Sequence, residues 1–143
     1  MQLNKIMSIF ALKKIDAIKG KQELVKLKVD DKCPFDEFEN GVGKQYLSEL
    51  VGIYHNMQDV ADLKSLPDTK FHFYDLNKKQ KNKDGVREFE FKSKHLRVYG
   101  ITMPNGKIII TGGTKANQKD DQNTFRKLKA QYLESIKSKK KSL

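Results

Sequence analysis

Cysteine is nearly absent from this 143-residue chain, where Cys33 stands alone. That excludes an internal disulfide and any zinc cage built from several thiolates. Long apolar runs are absent as well, and none approaches the length of a membrane span. The opening stretch MQLNKIMSIFALKK has too short an apolar core for a secretory signal, and no small-residue cleavage site follows it. A cytoplasmic location is therefore expected, with Met7 a second candidate start. No internal repeat is visible. The one Gly-Gly turn lacks the Walker spacing, so nucleotide hydrolysis is not expected.

What the chain does have is charge. Charged residues make up 33% and apolar residues 37%, which suits one small, very polar globular domain rather than a disordered chain. The net charge of +11 is unevenly spread: residues 1–33 carry +4, 34–65 carry −4, 66–97 carry +4 and 98–143 carry +7. A basic field of this kind suits a phosphate backbone. An acidic protein is the other partner class it fits.

Leu3, Met7 and Phe10 have helical spacing, so residues 3–18 predict a short amphipathic helix. Glu23 to Val29 alternates and predicts a strand. From Phe35 to Leu66 the chain predicts two helices, or one interrupted at Gly41 and Gly43, with Leu47, Leu50, Val51, Tyr54 and Ala61 as the apolar stripe. Phe71 to Leu76 predicts another strand. The run NKKQKNKDG, with Lys79, Lys81 and Lys83, is either a solvated loop or a phosphate-contacting finger. After Gly112-Gly113 comes a helix striped by Phe125, Leu128, Tyr132 and Ile136, with Asp120 and Asp121 at its positive end.

Residues 85–115 hold the candidate site. Asn105-Gly106 signals a type I′ hairpin, which would set Met103 opposite Ile108, Ile101 opposite Ile110 and Tyr99 opposite Gly112. A turn at Ser93-Lys94 would set Glu90 opposite Arg97 and Glu88 opposite Tyr99. Alternation then gives one core face of Phe89, Phe91, Leu96, Val98, Ile109 and Thr111. The other face carries Glu88, Glu90, Lys92, His95, Arg97, Tyr99, Ile101, Ile110, Gly112 and Thr114. So many ionisable groups in mid-sheet suggest a site.

Glu88-Phe89-Glu90-Phe91-Lys92, then Leu96-Arg97-Val98-Tyr99, a hairpin, Gly113-Thr114-Lys115 and a basic helix follow one another in this stretch. In that order it resembles the RelE/HigB group of toxins from type II toxin–antitoxin modules. The likeness runs from about Glu23 to Tyr132. It implies an α+β fold: an antiparallel twisted sheet of about four strands, helices packed on one face, and a C-terminal helix. The chain is then a single domain, residues 1–143, with an N-terminal extension over about 1–22 and a basic tail over about 137–143. The resemblance further implies cleavage of messenger RNA on the ribosome, without metal or other cofactor, by attack of the 2′-oxygen on the adjacent phosphate. It also implies an antitoxin partner, expected to be a helix-turn-helix protein with an acidic binding segment, and no membrane partner.

Such cleavage needs cations on the scissile phosphate and groups to move two protons. Arg97 is the natural phosphate clamp, because its guanidinium is bidentate and always charged. His95 can act as base or acid near neutrality. Lys92 and Lys115 supply charge, Glu88 or Glu90 orients Arg97 or accepts a proton, and Tyr99 stacks on a base or donates a proton. Lys94, Lys119, Arg126 and Lys129 join Lys79, Lys81 and Lys83 as candidate RNA contacts. The plainer alternatives are a cross-strand Glu90–Arg97 pair, a packed Tyr99 and a solvated His95.

Overall fold

The computed structural model describes residues 8–74 and 84–142. Its elements run β1 (Phe10–Lys14), β2 (Glu23–Val29), α1 (Pro34–Gly41), α2 (Leu47–Ala61), β3 (Phe71–Phe73), β4 (Glu88–Lys92), β5 (Leu96–Met103), β6 (Gly106–Thr114) and α3 (Gln118–Ser142). Among the described residues the strands form one six-stranded sheet in the order β1-β2-β6-β5-β4-β3. β2 and β6 run parallel, and every other neighbouring pair is antiparallel. Among the described residues no helix is long and apolar enough to cross a membrane.

The sheet is thus wider than the expected four strands, and mixed. Part of the extra width comes from residues 10–14, expected to be helical. Phe10 and Leu12 also have period-two spacing, and pairing with β2 sets Leu12 opposite Leu27. Phe10 then meets Tyr132 of α3 edge-on, ring centroids 5.8 Å apart. Tertiary pairing overrides a short stretch of helical periodicity here.

Helices cover both faces, not one. α1 starts with Pro34 in its first turn and Asp36 and Glu37 near its positive end, a favourable N-terminus. With α2 it packs Phe35, Leu50, Ile53, Met57 and Val60 against Leu24, Phe89, Phe91, Leu96, Val98 and Ile109. Phe35, Phe89 and Phe91 are fully buried, and each contributes ~1.5–3 kcal/mol of apolar transfer. The opposite face, carrying Val25, Leu27, Tyr99, Ile101, Ile108 and Ile110, is closed by Phe125, Leu128 and Tyr132 of α3.

Both turns differ from their expected form. In β5–β6 the first rung is Met103 with Gly106, so the turn is Pro104-Asn105. Asn105 alone takes a left-handed φ, +65°, and proline before it supplies the fixed negative φ of a type II turn. Gly106 is needed elsewhere: a Cβ there would strike the carbonyl oxygen of Glu23 on β2. A bulge follows, with Gly100 paired to Ile109 but Tyr99 to Thr111. It reverses the facing of what comes after. Thr111 therefore shares the face of Tyr99, while Gly112 and Thr114 do not. A Cβ on Gly112 would meet Phe38 of α1, and one on Gly113 would meet Asp121 of α3. In β4–β5 the pairs are Lys92 with Arg97, Glu90 with Tyr99 and Glu88 with Ile101. That two-residue offset from expectation preserves the facing of β4.

Candidate functional site

The β4–β5 turn lies at one end of the sheet and is held from three sides. Ser93 N–H donates to Leu96 O at 3.0 Å, and Leu96 N–H donates to Ser93 Oγ at 3.1 Å. From α2, Glu49 accepts the Ser93 hydroxyl at 2.5 Å, the His95 N–H at 2.7 Å and the His95 ring at Nδ1, also 2.7 Å. From β5, Arg97 Nη1 donates to Ser93 O at 2.5 Å and Leu96 O at 2.8 Å. From the link between β6 and α3, Lys115 N–H donates to His95 O at 2.8 Å.

Glu49 fixes the chemistry of the histidine. Desolvation works against its charge, but the bonds from Ser93 and His95 outweigh that and lower its pKa to about 2. An ionised carboxylate only accepts, so the proton between the two groups sits on Nδ1. Tyr46 packs against the ring at 4.8 Å. Nε2 has no partner among the described residues, and the side chain is 43% exposed. Exposed Lys94 precedes His95 in the chain and exposed Lys115 is bonded to its carbonyl through the backbone, with exposed Lys119 further on; half-buried Lys92 pairs with Arg97 across the turn and lies 4.0 Å from Glu90. The result is an oriented imidazole in a basic rim, able to take a proton from a ligand whose phosphates the lysines attract.

The rest of the expected constellation lies under α3. Tyr99 is fully buried and stacks on Phe125, 5.6 Å between centroids. Burial, with Glu90 and Asp121 nearby, pushes its hydroxyl well above the usual phenol range. Glu90 is 4% exposed, accepts from Tyr74 at 2.8 Å and lies 4.0 Å from Lys92 Nζ. Gln122 of α3 donates to the same Tyr74 oxygen at 3.0 Å. Arg97 is 8% exposed, and its Nε, the Tyr99 hydroxyl and Asp121 Oδ2 are buried without hydrogen-bond partners among the described residues. Among the described residues no three His, Cys, Asp or Glu side chains gather as a metal site.

Lys92, Lys94, His95, Arg97 and Lys115 are therefore brought together at one turn, whereas Tyr99 and Glu90 are not open beside them. His95 does not share their pleat; it faces α2. Arg97 grips the turn's carbonyls instead of standing free as a phosphate clamp. Lys129 is no surface contact either. It is 2% exposed and donates to Val86 O at 2.8 Å and Glu88 at 2.9 Å, with Asp84 at 3.0 Å. Arg126 donates to the same Glu88 at 3.0 Å and leans over the Tyr74 ring. Lys79, Lys81 and Lys83 lie outside the described residues.

Sequence reasoning missed Glu49, which sits 46 residues from His95 on another element, with no local signal joining them. Lys129 did carry a signal. It stands between Phe125 and Tyr132 at helical spacing, inside the apolar stripe, where a charge must find a buried partner. Compared with known proteins, the chain matches no family model, no curated protein and no solved structure.

Proposed function

We propose that the chain is a RelE/HigB-like toxin, an endoribonuclease that cleaves messenger RNA on the ribosome and is silenced by an antitoxin. The order strand, two helices, antiparallel strands and final helix supports the resemblance drawn from the sequence. The observation that carries the reading is the His95–Glu49 pair in a lysine-rimmed turn.

In this mechanism His95 Nε2 takes the proton of the RNA 2′-hydroxyl while Glu49, bonded to Nδ1–H, holds the ring and stabilises the imidazolium. The 2′-oxygen attacks the adjacent phosphorus and the bond to the 5′-oxygen breaks. The ammonium of Lys92 or Lys115 returns a proton to that leaving oxygen. Lys94 and Lys119 draw the backbone in, and Arg97 supplies fixed positive charge beneath the turn. The antitoxin, a helix-turn-helix protein with an acidic segment, docks on the same basic rim. The protein works in the cytoplasm, on ribosome-bound message.

Induced expression is expected to arrest growth, and the purified protein to cut messenger RNA on translating ribosomes, leaving 2′,3′-cyclic phosphate ends. His95→Gln and Glu49→Gln should each relieve arrest while remaining folded by circular dichroism. Normal growth of cells making the soluble, intact chain, or full cleavage by His95→Gln, would overturn the reading. The burial of Tyr99 and Glu90 under α3 favours a second one, a non-catalytic RNA- or ribosome-binding module. Salt-dependent RNA binding with no cleavage on translating ribosomes would select it.

A further inference from the structure

At the other end of the sheet lies a groove of about 380 Å3, bordered by the chain that leaves α2 and by β3. Lys107 of β6 is part of its wall and is 9% exposed. Its ammonium donates to Gln22 Oε1 at 3.0 Å and lies 6.0 and 5.7 Å from the ring centres of Phe71 and Phe73. Among the described residues it has no carboxylate within ion-pair distance. Arg87 stacks its guanidinium on Phe73 at 3.7 Å and lines the same groove.

This arrangement is costly as it stands. An ammonium has three protons to donate, and among the described residues this one has a single hydrogen-bond acceptor. Buried charges are normally paired, and a neighbouring cation raises the cost further. Burial and Arg87 together lower the Lys107 pKa. The two ring contacts offset only part of this. Gln22 is itself tied, its amide nitrogen donating to Val60 O at 2.7 Å, so the single acceptor is held in place.

We infer that the groove is a binding site for a phosphate monoester, with Lys107 and Arg87 as its cationic contacts. A dianionic phosphate supplies the counter-charge that Lys107 lacks among the described residues and accepts the remaining ammonium protons. A guanidinium fork matches its oxygens, and the groove's volume suits a small ligand. Free phosphate and the terminal phosphate of a nucleotide or RNA share this chemistry. The site is separate from the His95 turn: Lys107 pairs with Thr102 near one end of β5, and His95 precedes the other end.

The test uses the full chain in a phosphate-free buffer, titrated calorimetrically with sodium phosphate, AMP or a 5′-phosphorylated oligoribonucleotide, with thermal melts alongside. The wild type is expected to bind and to melt higher as ligand is added. Lys107→Met, which keeps the apolar stem, should bind at least about tenfold more weakly yet melt no lower than wild type without ligand. Equal affinity for all three probes marks the phosphate group itself as the ligand, and tighter binding of AMP or the oligonucleotide marks a nucleotide. No binding at millimolar concentration, undiminished binding by Lys107→Met, or a lower melting point for that folded variant without ligand would overturn the inference. Should the variant not fold, Arg87→Gln replaces it, with weaker phosphate binding expected. The Lys107 Nζ resonance of the wild type should then also move on adding phosphate, and a stationary resonance would overturn the inference. None of these results depends on RNA cleavage, so failure here and failure of the toxin reading are distinguishable.

Discussion

Replacing Lys129 by methionine tests how α3 is held to the sheet. Methionine keeps most of the stem volume, so the change removes charge rather than creating a cavity. It removes the lysine from Asp84 and Val86 O and leaves Glu88, 4% exposed, with Arg126 as its remaining side-chain donor among the described residues. Breaking a buried pair by removing one partner costs about 3–5 kcal/mol. The surviving bond from Arg126, whose side chain is 44% exposed, brings the expected loss to about 2–3 kcal/mol. Adding Glu88→Gln removes the stranded carboxylate, so the double variant should regain about 1–2 kcal/mol over Lys129→Met alone. Urea unfolding followed by circular dichroism measures each corner of the cycle. A Lys129→Met variant within about 0.5 kcal/mol of wild type would show the behaviour of a surface lysine. It would refute the buried pair and return Lys129 to the list of RNA contacts.

Three further outcomes are expected. Glu49 binds its proton more weakly in the folded chain, at about 2 against an ordinary 4.5, so it adds stability above pH 4.5 that disappears as the pH falls toward 2. At about 1.4 kcal/mol per pH unit the increment is on the order of 3 kcal/mol, and acid unfolding of Glu49→Gln should lack that slope between pH 4.5 and 2. Tyr99→Phe removes a buried hydroxyl that has no partner among the described residues and should raise stability by about 1 kcal/mol; a loss of similar size would show the hydroxyl to be bonded. If Lys92, Lys94, Lys115 and Lys119 each meet one phosphate of single-stranded RNA, the logarithm of affinity should fall with log salt at a slope of about −3. Lys115→Ala should then reduce that slope by about 0.7, and an unchanged slope would remove Lys115 from the interface.

The strands β2, β4, β5 and β6 were legible because alternation writes burial directly into the sequence. Phe89, Phe91, Leu96, Val98 and Ile109 share the expected core face. β1 was not legible as a strand, since Phe10 and Leu12 satisfy a two-residue period only once β2 is there to pair. Nor was the bulge at Tyr99–Gly100, which turns Gly112 toward α1. The site divides in the same way. Local order identified the turn with Lys92, His95 and Arg97. What a side chain in that turn meets is decided by helices dozens of residues away, as with Glu49, and no period in the sequence records such contacts.

The ionisable groups of the second sheet face acquire a different meaning once α3 is in place. Glu88 and Glu90 stand on a strand whose other face is pure core, so a helix laid over them must bring donors or leave charge buried unpaired. α3 brings Arg126 and Lys129 to Glu88, and Gln122 to the Tyr74 hydroxyl that serves Glu90. Those contacts explain why a basic helix carries cations on its inner stripe and why a strand that resembles an active site is mostly an anchor. They also narrow where RNA can be met. Lys129 is internal and Arg126 is tied to Glu88, whereas Lys94 and Lys115 beside His95 are exposed. In the mechanism proposed above the RNA is cut at that turn, where Glu49 holds the proton of His95 on Nδ1.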